Sequence, residues 1–355
     1  MFDYKQIKMQ NTAGDEERNT YFEGIISLIA NMSEEASQKR TEFMSPERLK
    51  NDREAYREKF INMLGWPLNE YTHEYKPKTK KYLVEDAGFL KIYRLIIETL
   101  PNIWFEGLIF EPKEHEENPP LVVINPGGGY LSEELIAHGD FDNAQYKCMG
   151  GRFAEAGCIV YAPQLLLWND ERKAYKQPGM RQLFDVKLKA MGGSITALEI
   201  FNIKRAIDYF IGNEPIDENR IGMMGLSYGG FYTLYTSAAE PRVKSVFSSC
   251  FFCDRFATER EGSATRSDWL WQNSANTFFD AEVAALIAPR ALYIENGIKD
   301  ELFPIELSKK EFERLKPYYE AQNASDKLMY HAGDNGHEVS VGDVGFDFFI
   351  KNLRD

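Results

Sequence analysis

A glycine-rich turn from Gly225 to Gly229 constrains the fold of this chain more than any other stretch of the sequence. The apolar residues 221–226 lead into it and predict a buried strand, while the helix-forming segment 231–235 follows directly. The turn itself is Gly-x-Ser-x-Gly, with Ser227 at its centre. A chance match is the alternative, but in this context the pattern predicts a tight strand-to-helix turn that lifts a serine hydroxyl clear of the backbone.

A serine hydroxyl is a poor nucleophile at neutral pH unless a base removes its proton, so a histidine is expected near it. The chain has five histidines. His331 ends the last predicted strand, and His337 lies in the turn 333–338 that follows. A loop at the carboxyl end of the strands can reach the serine, which favours His337 over His331 as the base. A hydrogen-bonded surface turn is the alternative role for either residue.

An orienting carboxylate is expected between the serine and the histidine in chain order. Asp300 lies in the segment 296–304, directly after a predicted strand. From there its carboxylate could fix the imidazole tautomer and stabilise the imidazolium. Glu295 and Glu301 are the rivals, but Glu295 lies on or near the strand and Glu301 is predicted to point to solvent. The predicted catalytic residues are therefore Ser227, Asp300 and His337.

The glycine-rich loop 125–130 follows the first predicted parallel strand, so its backbone amides could approach a substrate closely. We expect the amide of Tyr228 to form an oxyanion hole together with the amide of Gly129 or Tyr130. Phosphate binding is the rival interpretation of such a loop. A dinucleotide fingerprint would require glycine where Ser132 stands, and the chain has no Gly-Lys-Ser/Thr, so nucleotide binding is disfavoured.

Alternating strand and helix patterns predict a mostly parallel central sheet with helices on both faces, an α/β architecture. Three strands with a period of two come first, and their alternation suits antiparallel pairing with one wet face. Two of the helices are predicted at 149–156 and 195–210. The predicted strands are 81–85, 89–98, 103–110, 121–124, 158–162, 221–226, 243–248, 291–294 and 327–330.

Residues 1–80 are predicted to form a helical extension, followed by a catalytic domain at 81–355. A first helix carries an apolar stripe, and a second has Ser45 as its cap, begins at Pro46 and continues to Gly65. These stripes must be buried either against the main domain or against a second subunit, so a homo-oligomer through the N-terminal helices is one expectation. The stripe of the first helix consists of Phe22, Ile25, Ile26, Ile29 and Met32.

The interval 251–279 is too long for a plain connection and is predicted to form a cap or a substrate wall. It contains Trp269 and Trp271, which we interpret as substrate-binding residues that face an apolar acyl group or a sugar ring. Packing in the core is the alternative role for both side chains.

A formal net charge of −13 argues against nucleic acid or an anionic membrane as a partner, because both require basic surface. No stretch approaches the length of a membrane span, and the N-terminus lacks a signal-peptide core. The four cysteines are too few for a disulfide scaffold. Cys250 and Cys253 form a single Cys-x-x-Cys that no second pair completes into a zinc site, so we expect buried free thiols and a cytoplasmic protein.

The loop 125–130, the turn 225–230, Asp300 and His337 together resemble the α/β-hydrolase superfamily. Within it, the segments 288–290 and 296–297 make the chain similar to the dienelactone hydrolase and acetyl xylan esterase-like branch. The likeness covers the chain from about residue 80 to the end. Two departures are that Asn125-Pro126 stands where many of these esterases carry His-Gly, and that Ser227 replaces the cysteine nucleophile of dienelactone hydrolases proper.

The resemblance implies the α/β-hydrolase fold and a serine hydrolase that cleaves carboxylic esters of a small molecule, with no metal or organic cofactor. Two further hypotheses remain open. One is a peptidase of the prolyl oligopeptidase type, although about eighty helical residues cannot build the propeller that those enzymes usually carry. The other is a non-catalytic binding protein that keeps the fold.

Overall fold

The computed structural model describes residues 14–136, 145–167, 179–255 and 266–355, and a nine-stranded sheet runs through these ranges. The strands follow the spatial order β1-β2-β3-β5-β4-β6-β7-β8-β9. Strands β1 to β3 form an antiparallel meander, β3 is antiparallel to β5, and every later pairing is parallel. All nine predicted strands are present, so the mostly parallel sheet is confirmed. The strands are β1 (Thr79–Ala87), β2 (Leu90–Leu100), β3 (Ile103–Pro112), β4 (Leu121–Asn125), β5 (Ile159–Pro163), β6 (Ile221–Leu226), β7 (Val243–Ser249), β8 (Ala291–Gly297) and β9 (Leu328–Gly333).

Helices cover both faces of this sheet. Along the pleat of β4, Leu121 and Val123 belong to one apolar cluster, while Val122 and Ile124 belong to a second cluster on the opposite face. Helices α2, α5, α6, α7 and α8 contribute to the first cluster, and α3 and α9 contribute to the second. The helices are α1 (Asp15–Phe43), α2 (Pro46–Leu64), α3 (Met149–Glu155), α4 (Met180–Ala190), α5 (Ile195–Asn213), α6 (Tyr228–Ala239), α7 (Asp280–Ala285), α8 (Ile305–Glu320) and α9 (Val344–Arg354).

Helix α2 forms as its sequence predicts. The hydroxyl of Ser45 caps it by accepting from the amide of Arg48 at 3.3 Å, and the helix ends at Gly65, whose φ of +88° is left-handed. Phe60 and Leu64 pack in the same cluster as the sheet. Helix α2 therefore shares the core of the main domain, and the predicted boundary at residue 80 stays a prediction.

The apolar stripe of the first helix is exposed in the described ranges. On α1, Phe22 is 65% exposed and Met32 is 58% exposed. The stripe that these residues share is not packed against the main domain in the described ranges. Only the C-terminal part of α1 is anchored there, through Ala36 and Arg40, which are buried. Of the two alternatives for this stripe, the described ranges do not show burial against the main domain, and burial against a second subunit stays a prediction.

The segment predicted as a cap is described only in part, because residues 256–265 lie outside the described ranges. Its second half contains two short 3-10 helices, Ser267–Trp269 and Ser274–Asn276. A role as a cap or wall stays a prediction. Among the helices in the described ranges, none carries an apolar stretch long enough to cross a bilayer.

Candidate active site

Ser227 occupies the turn between β6 and α6 with φ +60° and ψ −120°, a strained conformation for a residue with a side chain. A Cβ on Gly225 would lie 2.3 Å from the carbonyl carbon of Gly229, and a Cβ on Gly229 would lie 2.2 Å from the carbonyl oxygen of Asn125. The amide of Ser227 donates to Ser249 at 2.9 Å, which ties the turn to the end of β7. The strand, the turn and the helix are thus those that the sequence predicts.

Asp300 and His337 meet at the edge of the sheet where the parallel strands end. Nδ1 of His337 lies 2.8 Å from Oδ2 of Asp300, and the other carboxylate oxygen of Asp300 accepts from the amides of Leu302 at 2.8 Å and Phe303 at 3.2 Å. The Asp300 side chain is fully buried, and that of His337 is 22% exposed. Gly297 lets the two loops approach, since a Cβ there would lie 2.2 Å from the carbonyl oxygen of Gly336. A buried acid that orients a partly exposed imidazole is the geometry that a general base requires.

The predicted nucleophile, Ser227, belongs to the same edge. Strands β6, β7 and β8 are parallel neighbours, so Ser227 and the loop after Gly297 follow strand ends on one side of the sheet. Cys250, which follows β7, has its sulfur within 4.8 Å of the ligand atoms of Asp300 and His337. Between these two described residues, however, the structure has no hydrogen bond from the Ser227 hydroxyl to the His337 ring. The contact of nucleophile and base stays a prediction.

The rival acid and base have other roles. Glu295 is buried on β8, accepts from the hydroxyl of Ser249 at 2.8 Å and from the amide of Ser340 at 3.0 Å, and has its pKa raised by burial. It thereby holds the loop that carries His337 without contacting the ring. His331 lies on β9 with its ring stacked 6.4 Å from that of Tyr293.

The two amides that were expected as second oxyanion donors both have acceptors in this structure. The amide of Gly129 donates to the carbonyl of Leu167 at 2.7 Å, and the amide of Tyr130 donates to Gly127 at 3.3 Å, so both are already engaged. Among the described residues, the amides of Gly128 and Tyr228 have no hydrogen-bond acceptor. Gly128 is exposed, and a Cβ on it would touch the Tyr228 ring at 3.4 Å. The assignment of Gly129 or Tyr130 stays a prediction, and the amide of Gly128 is a further candidate partner for that of Tyr228.

Residues 145–147, whose role the sequence did not reveal, connect the glycine-rich loop 125–130, the predicted oxyanion loop, to the loop that carries His337. The Tyr146 hydroxyl donates to the carbonyl of Asn125 at 2.8 Å and accepts from the amide of Leu226 at 3.4 Å. Gln145 accepts from the amide of Val339 at 2.8 Å through its carbonyl. Tyr146 is fully buried, so it fixes the spacing between the ends of β4 and β6.

Trp269 and Trp271 are both buried in the core, at 3% and 9% exposure, which favours the packing alternative. The Trp269 ring lies 4.7 Å from that of Tyr228 and 6.2 Å from that of Phe303, whose ring stacks on His337 at 5.7 Å. Trp271 stacks on Tyr235, further from the edge. Contact with a substrate stays a prediction for both.

A buried ionic network behind Tyr228 escaped the sequence analysis. The Tyr228 hydroxyl donates to Asp268 at 3.0 Å, and Arg181 pairs with Asp268 at 2.7 Å and with Glu199 at 2.8 Å. Arg181 lies on α4, a helix that the sequence analysis did not predict. Because Tyr228 directly follows Ser227, the network anchors the start of α6. No motif signals it, since its members are distant in the sequence.

Cys250, Asp300 and His337 form the one group of three potential metal ligands found in the described ranges. The carboxylate already accepts from the imidazole, and burial raises the pKa of the Cys250 thiol. A protonated thiol is a poor metal ligand, so the arrangement fits an oriented histidine better than a metal centre. All four cysteines are free, and Cys250 and Cys253 are fully buried, which confirms the expected buried thiols.

A parallel sheet with a strained serine turn after β6, an acid after β8 and a histidine after β9 defines the α/β-hydrolase fold. Solved structures support this assignment. Methylesterase BT1017 superposes with a TM-score of 0.69 at 17% identity, covering 92% of this chain and 69% of that one. Acetyl xylan esterase 1 from Thermoanaerobacterium sp. superposes with a TM-score of 0.55 at 15% identity, covering 86% and 94%.

Sequence comparisons agree with this class. Residues 199–340, which include the predicted catalytic residues, match the model of the prolyl oligopeptidase family. The "Putative hydrolase YtaP" of Bacillus subtilis is 27% identical over 233 residues, covering 64% of this chain and 76% of that protein. The suspected resemblance to the α/β-hydrolase superfamily, with acetyl xylan esterases among the similar structures, is confirmed.

Proposed function

We propose that this protein is a serine hydrolase that cleaves carboxylic esters through an acyl-enzyme. The observation that carries the proposal is the 2.8 Å contact of His337 Nδ1 with Asp300, at the sheet edge where β6 ends in the strained Ser227 turn. An acid–imidazole pair at the same sheet edge as a half-buried serine is the arrangement from which a serine can be activated for acyl transfer.

In the proposed reaction, Ser227 Oγ attacks the acyl carbon while Nε2 of His337 takes its proton. Asp300 keeps the proton on Nδ1 and stabilises the imidazolium, which then protonates the leaving alcohol. The amides of Tyr228 and Gly128 hold the oxyanion. Water activated by the same histidine then cleaves the acyl-enzyme, so the reaction needs side chains and backbone amides of this chain alone.

We propose a short acyl ester of a sugar or of another small molecule as the substrate. Two of the similar structures are named as a methylesterase and an acetyl xylan esterase, which supports an ester with a small acyl or alkyl group. The free thiols support a cytoplasmic location.

A peptidase is the second candidate, because the matched family model is that of the prolyl oligopeptidases. The experiment that separates the two compares p-nitrophenyl esters and acetylated sugars with a prolyl p-nitroanilide. We expect the wild-type protein to hydrolyse the esters, and Ser227→Ala to lose about 10³-fold or more of that rate.

Hydrolysis of the anilide without ester turnover would favour the peptidase. Equal ester turnover by the wild-type protein and Ser227→Ala would contradict a serine mechanism. A folded wild-type protein that turns over neither substrate class would support the third hypothesis, a non-catalytic binding protein.

A further inference from the structure

Arg266 is a half-buried cation beside the proposed active site. Its guanidinium carbon lies 5.2 Å from the centre of the Tyr228 ring and 5.9 Å from that of Trp269. No carboxylate within the described ranges pairs with it. Other arginines around these aromatic rings are paired: Arg181 with Asp268 and Glu199, and Arg255 with Asp280 at 2.7 Å.

The nearest acid in the sequence cannot neutralise this charge. Asp268 stands two residues further along, but one of its oxygens is 2.7 Å from Arg181 Nε and 3.0 Å from the Tyr228 hydroxyl. Asp268 is also fully buried behind the ring, whereas Arg266 is half-buried. Among the described residues, no acid therefore takes up the guanidinium donors, and they are left for a group that arrives from solvent.

The position of Arg266 connects it to the reacting atoms. Tyr228 follows Ser227 directly, its ring adjoins Gly128 of the oxyanion loop, and Arg266 lies against that ring. Trp269 and Phe303, which are both buried, pack one after the other between Arg266 and the ring of His337. Among the described residues, the half-buried Arg266 is thus packed against the same group of rings that adjoins Ser227 in sequence and contacts His337 in space.

We propose that Arg266 is a specificity-determining residue that binds a carboxylate carried by the ester substrate. A guanidinium binds a carboxylate through two parallel hydrogen bonds, and the cation–π contact with Tyr228 holds the Arg266 side chain near this position. A chain with a net charge of −13 otherwise repels anionic substrates. A cation near the proposed nucleophile would therefore select those anionic esters whose carboxylate reaches it. This inference rests on the proposed ester hydrolysis.

The test uses two matched pairs of esters. The mono-p-nitrophenyl ester of glutaric acid is compared with its methyl-capped form, which places the carboxylate on the acyl part. Then 4-acetoxybenzoate is compared with methyl 4-acetoxybenzoate, which places the carboxylate on the alcohol part.

For at least one pair, we expect the wild-type protein to prefer the anionic ester. Arg266→Gln should then lower kcat/KM for that ester about 10-fold or more through KM, with the neutral ester unchanged, and Arg266→Lys should retain part of the preference.

Lys299→Gln is the control, because Lys299 is an exposed cation of the Asp300 loop that already pairs with Asp334 at 2.7 Å. It should leave both ratios unchanged. If Arg266→Gln keeps the wild-type ratio of anionic to neutral ester for both pairs, the inference is overturned while ester hydrolysis stands. If the wild-type protein hydrolyses no ester of either pair, the proposed function itself fails.

A different observation supports a second proposal. Seven large apolar side chains lie on one face of α1 between residues 21 and 32, and each is more than a third exposed. At 1.5 Å per residue, the part of the helix from residue 15 to residue 32 extends for about 27 Å beyond its anchored end. A helix with an unburied apolar face gains little stability in water. The seven residues are Tyr21, Phe22, Ile25, Ile26, Leu28, Ile29 and Met32.

We propose that a second copy of this chain covers this face, with the two α1 helices antiparallel about a two-fold axis. The charges at the two ends of the face are complementary in that arrangement. Asp15 and Arg18 form an intrahelical ion pair at one end, and Glu35 and Lys39 form another at the other end, where both pairs could also contact the partner's charges. An axis midway between residues 21 and 32 places Arg18 beside the partner's Glu35 and Asp15 beside the partner's Lys39. A two-fold contact uses the same patch twice, so it needs no other protein.

Light scattering coupled to gel filtration tests this proposal. The wild-type protein should have twice the mass of the chain, and Phe22→Asp/Ile26→Asp should be a monomer with an unchanged thermal transition. Ser27→Asp is the matched control on the opposite face of the helix and should remain a dimer. Arg18→Glu should weaken the dimer, and Arg18→Glu/Glu35→Arg should restore it. A monomeric wild-type protein, or a Phe22→Asp/Ile26→Asp variant that remains a dimer, would overturn the proposal.

Discussion

Nδ1 of His337 lies 2.8 Å from Oδ2 of Asp300, and this contact joins two loops that follow the last two strands of the sheet. The Asp300 side chain is itself fixed by the backbone, because its other carboxylate oxygen accepts hydrogen bonds from the amides of Leu302 and Phe303. The carboxylate therefore has one orientation, and Nε2 of His337 is left to exchange a proton with a substrate or with Ser227.

The first prediction concerns Asp300→Asn. The amide oxygen can retain the two backbone hydrogen bonds, so the amide nitrogen replaces Oδ2 and faces His337 Nδ1. A donor at that place favours the imidazole tautomer with its proton on Nε2, which cannot act as a base. We expect kcat for ester hydrolysis to fall about 10³- to 10⁴-fold without loss of folding.

Glu301→Gln is the control for this variant, since Glu301 is adjacent to Asp300 but exposed, and it should retain wild-type kcat. A comparable loss in Glu301→Gln, or near-wild-type kcat in Asp300→Asn, would show that Asp300 is not the orienting acid.

The second prediction concerns Tyr146, a positioning residue whose hydroxyl contacts Asn125 and Leu226. Tyr146→Phe leaves the ring in place but frees the oxyanion loop from the end of β6. We expect kcat to fall about 10- to 100-fold with little change in KM, because small misplacements of an oxyanion donor are costly.

Tyr319→Phe supplies the comparison, because it also removes a fully buried hydroxyl, one that bonds to the carbonyl of Arg290 at 3.0 Å away from the site. Both variants should lose similar stability to urea, while only Tyr146→Phe should lose kcat. If Tyr146→Phe and Tyr319→Phe lost the same share of kcat, lost stability would explain the effect and Tyr146 would not be a positioning residue.

The third prediction concerns the glycines of the serine turn. Alanine at Gly229 would force a Cβ to 2.2 Å from the backbone of Asn125, and we expect a loss of about 3 kcal/mol or more in the free energy of unfolding. Gly212→Ala, in α5 with open space around it, should instead raise stability by about 0.5–1 kcal/mol. Urea denaturation of both variants checks this contrast, and a Gly229→Ala variant as stable as Gly212→Ala would contradict the packing of the turn.

The fourth prediction concerns pH and stability. Burial, together with the negative charge of Glu282, raises the pKa of Glu311 from its ordinary 4.5 to about 8. Between these values the folded protein keeps a proton that the unfolded chain has lost. The contribution of Glu311 to stability is therefore fully present below pH 4.5 and is lost as the pH rises to about 8, by up to about 1.4 kcal/mol per pH unit.

Glu311→Gln removes this ionisation, and Arg40 and Arg314 keep Glu282 as their partner at 3.2 and 2.8 Å. We expect the variant to be more stable than the wild-type protein at pH 9 and close to it at pH 5. Glu313→Gln, an exposed position on the same helix, should follow the wild-type curve. A Glu311→Gln variant that gains nothing at pH 9 would be inconsistent with a raised pKa.

Local patterns were sufficient to predict the strands and the Asp300–His337 contact. The alternation in β2, the apolar run of β6 and the glycines around Ser227 are each encoded within a few residues. Chain order and loop position then separated Asp300 from Glu295 and His337 from His331. The turn conformation and the meeting of the two loops follow from these local signals.

Contacts between distant segments could not be predicted in this way. The amide of Gly129 is engaged by Leu167, from the loop after β5, and no local pattern reveals that pairing. The ion pairs of Arg181 likewise depend on segments brought together by folding. For α1, the amphipathic pattern predicts a helix with an apolar face but cannot specify what covers it.

The central claim is that Ser227 is a nucleophile activated by His337. Diethyl p-nitrophenyl phosphate tests it directly, because an activated serine displaces p-nitrophenolate and retains the diethyl phosphoryl group. We predict one equivalent of p-nitrophenol per chain and a matching mass increase on the peptide that contains Ser227. That peptide should not be labelled in Ser227→Ala, and in His337→Gln it should be labelled more slowly than in the wild-type protein. Ester turnover by a wild-type protein whose Ser227 remains unlabelled, or whose label lies on another residue, would contradict the claim.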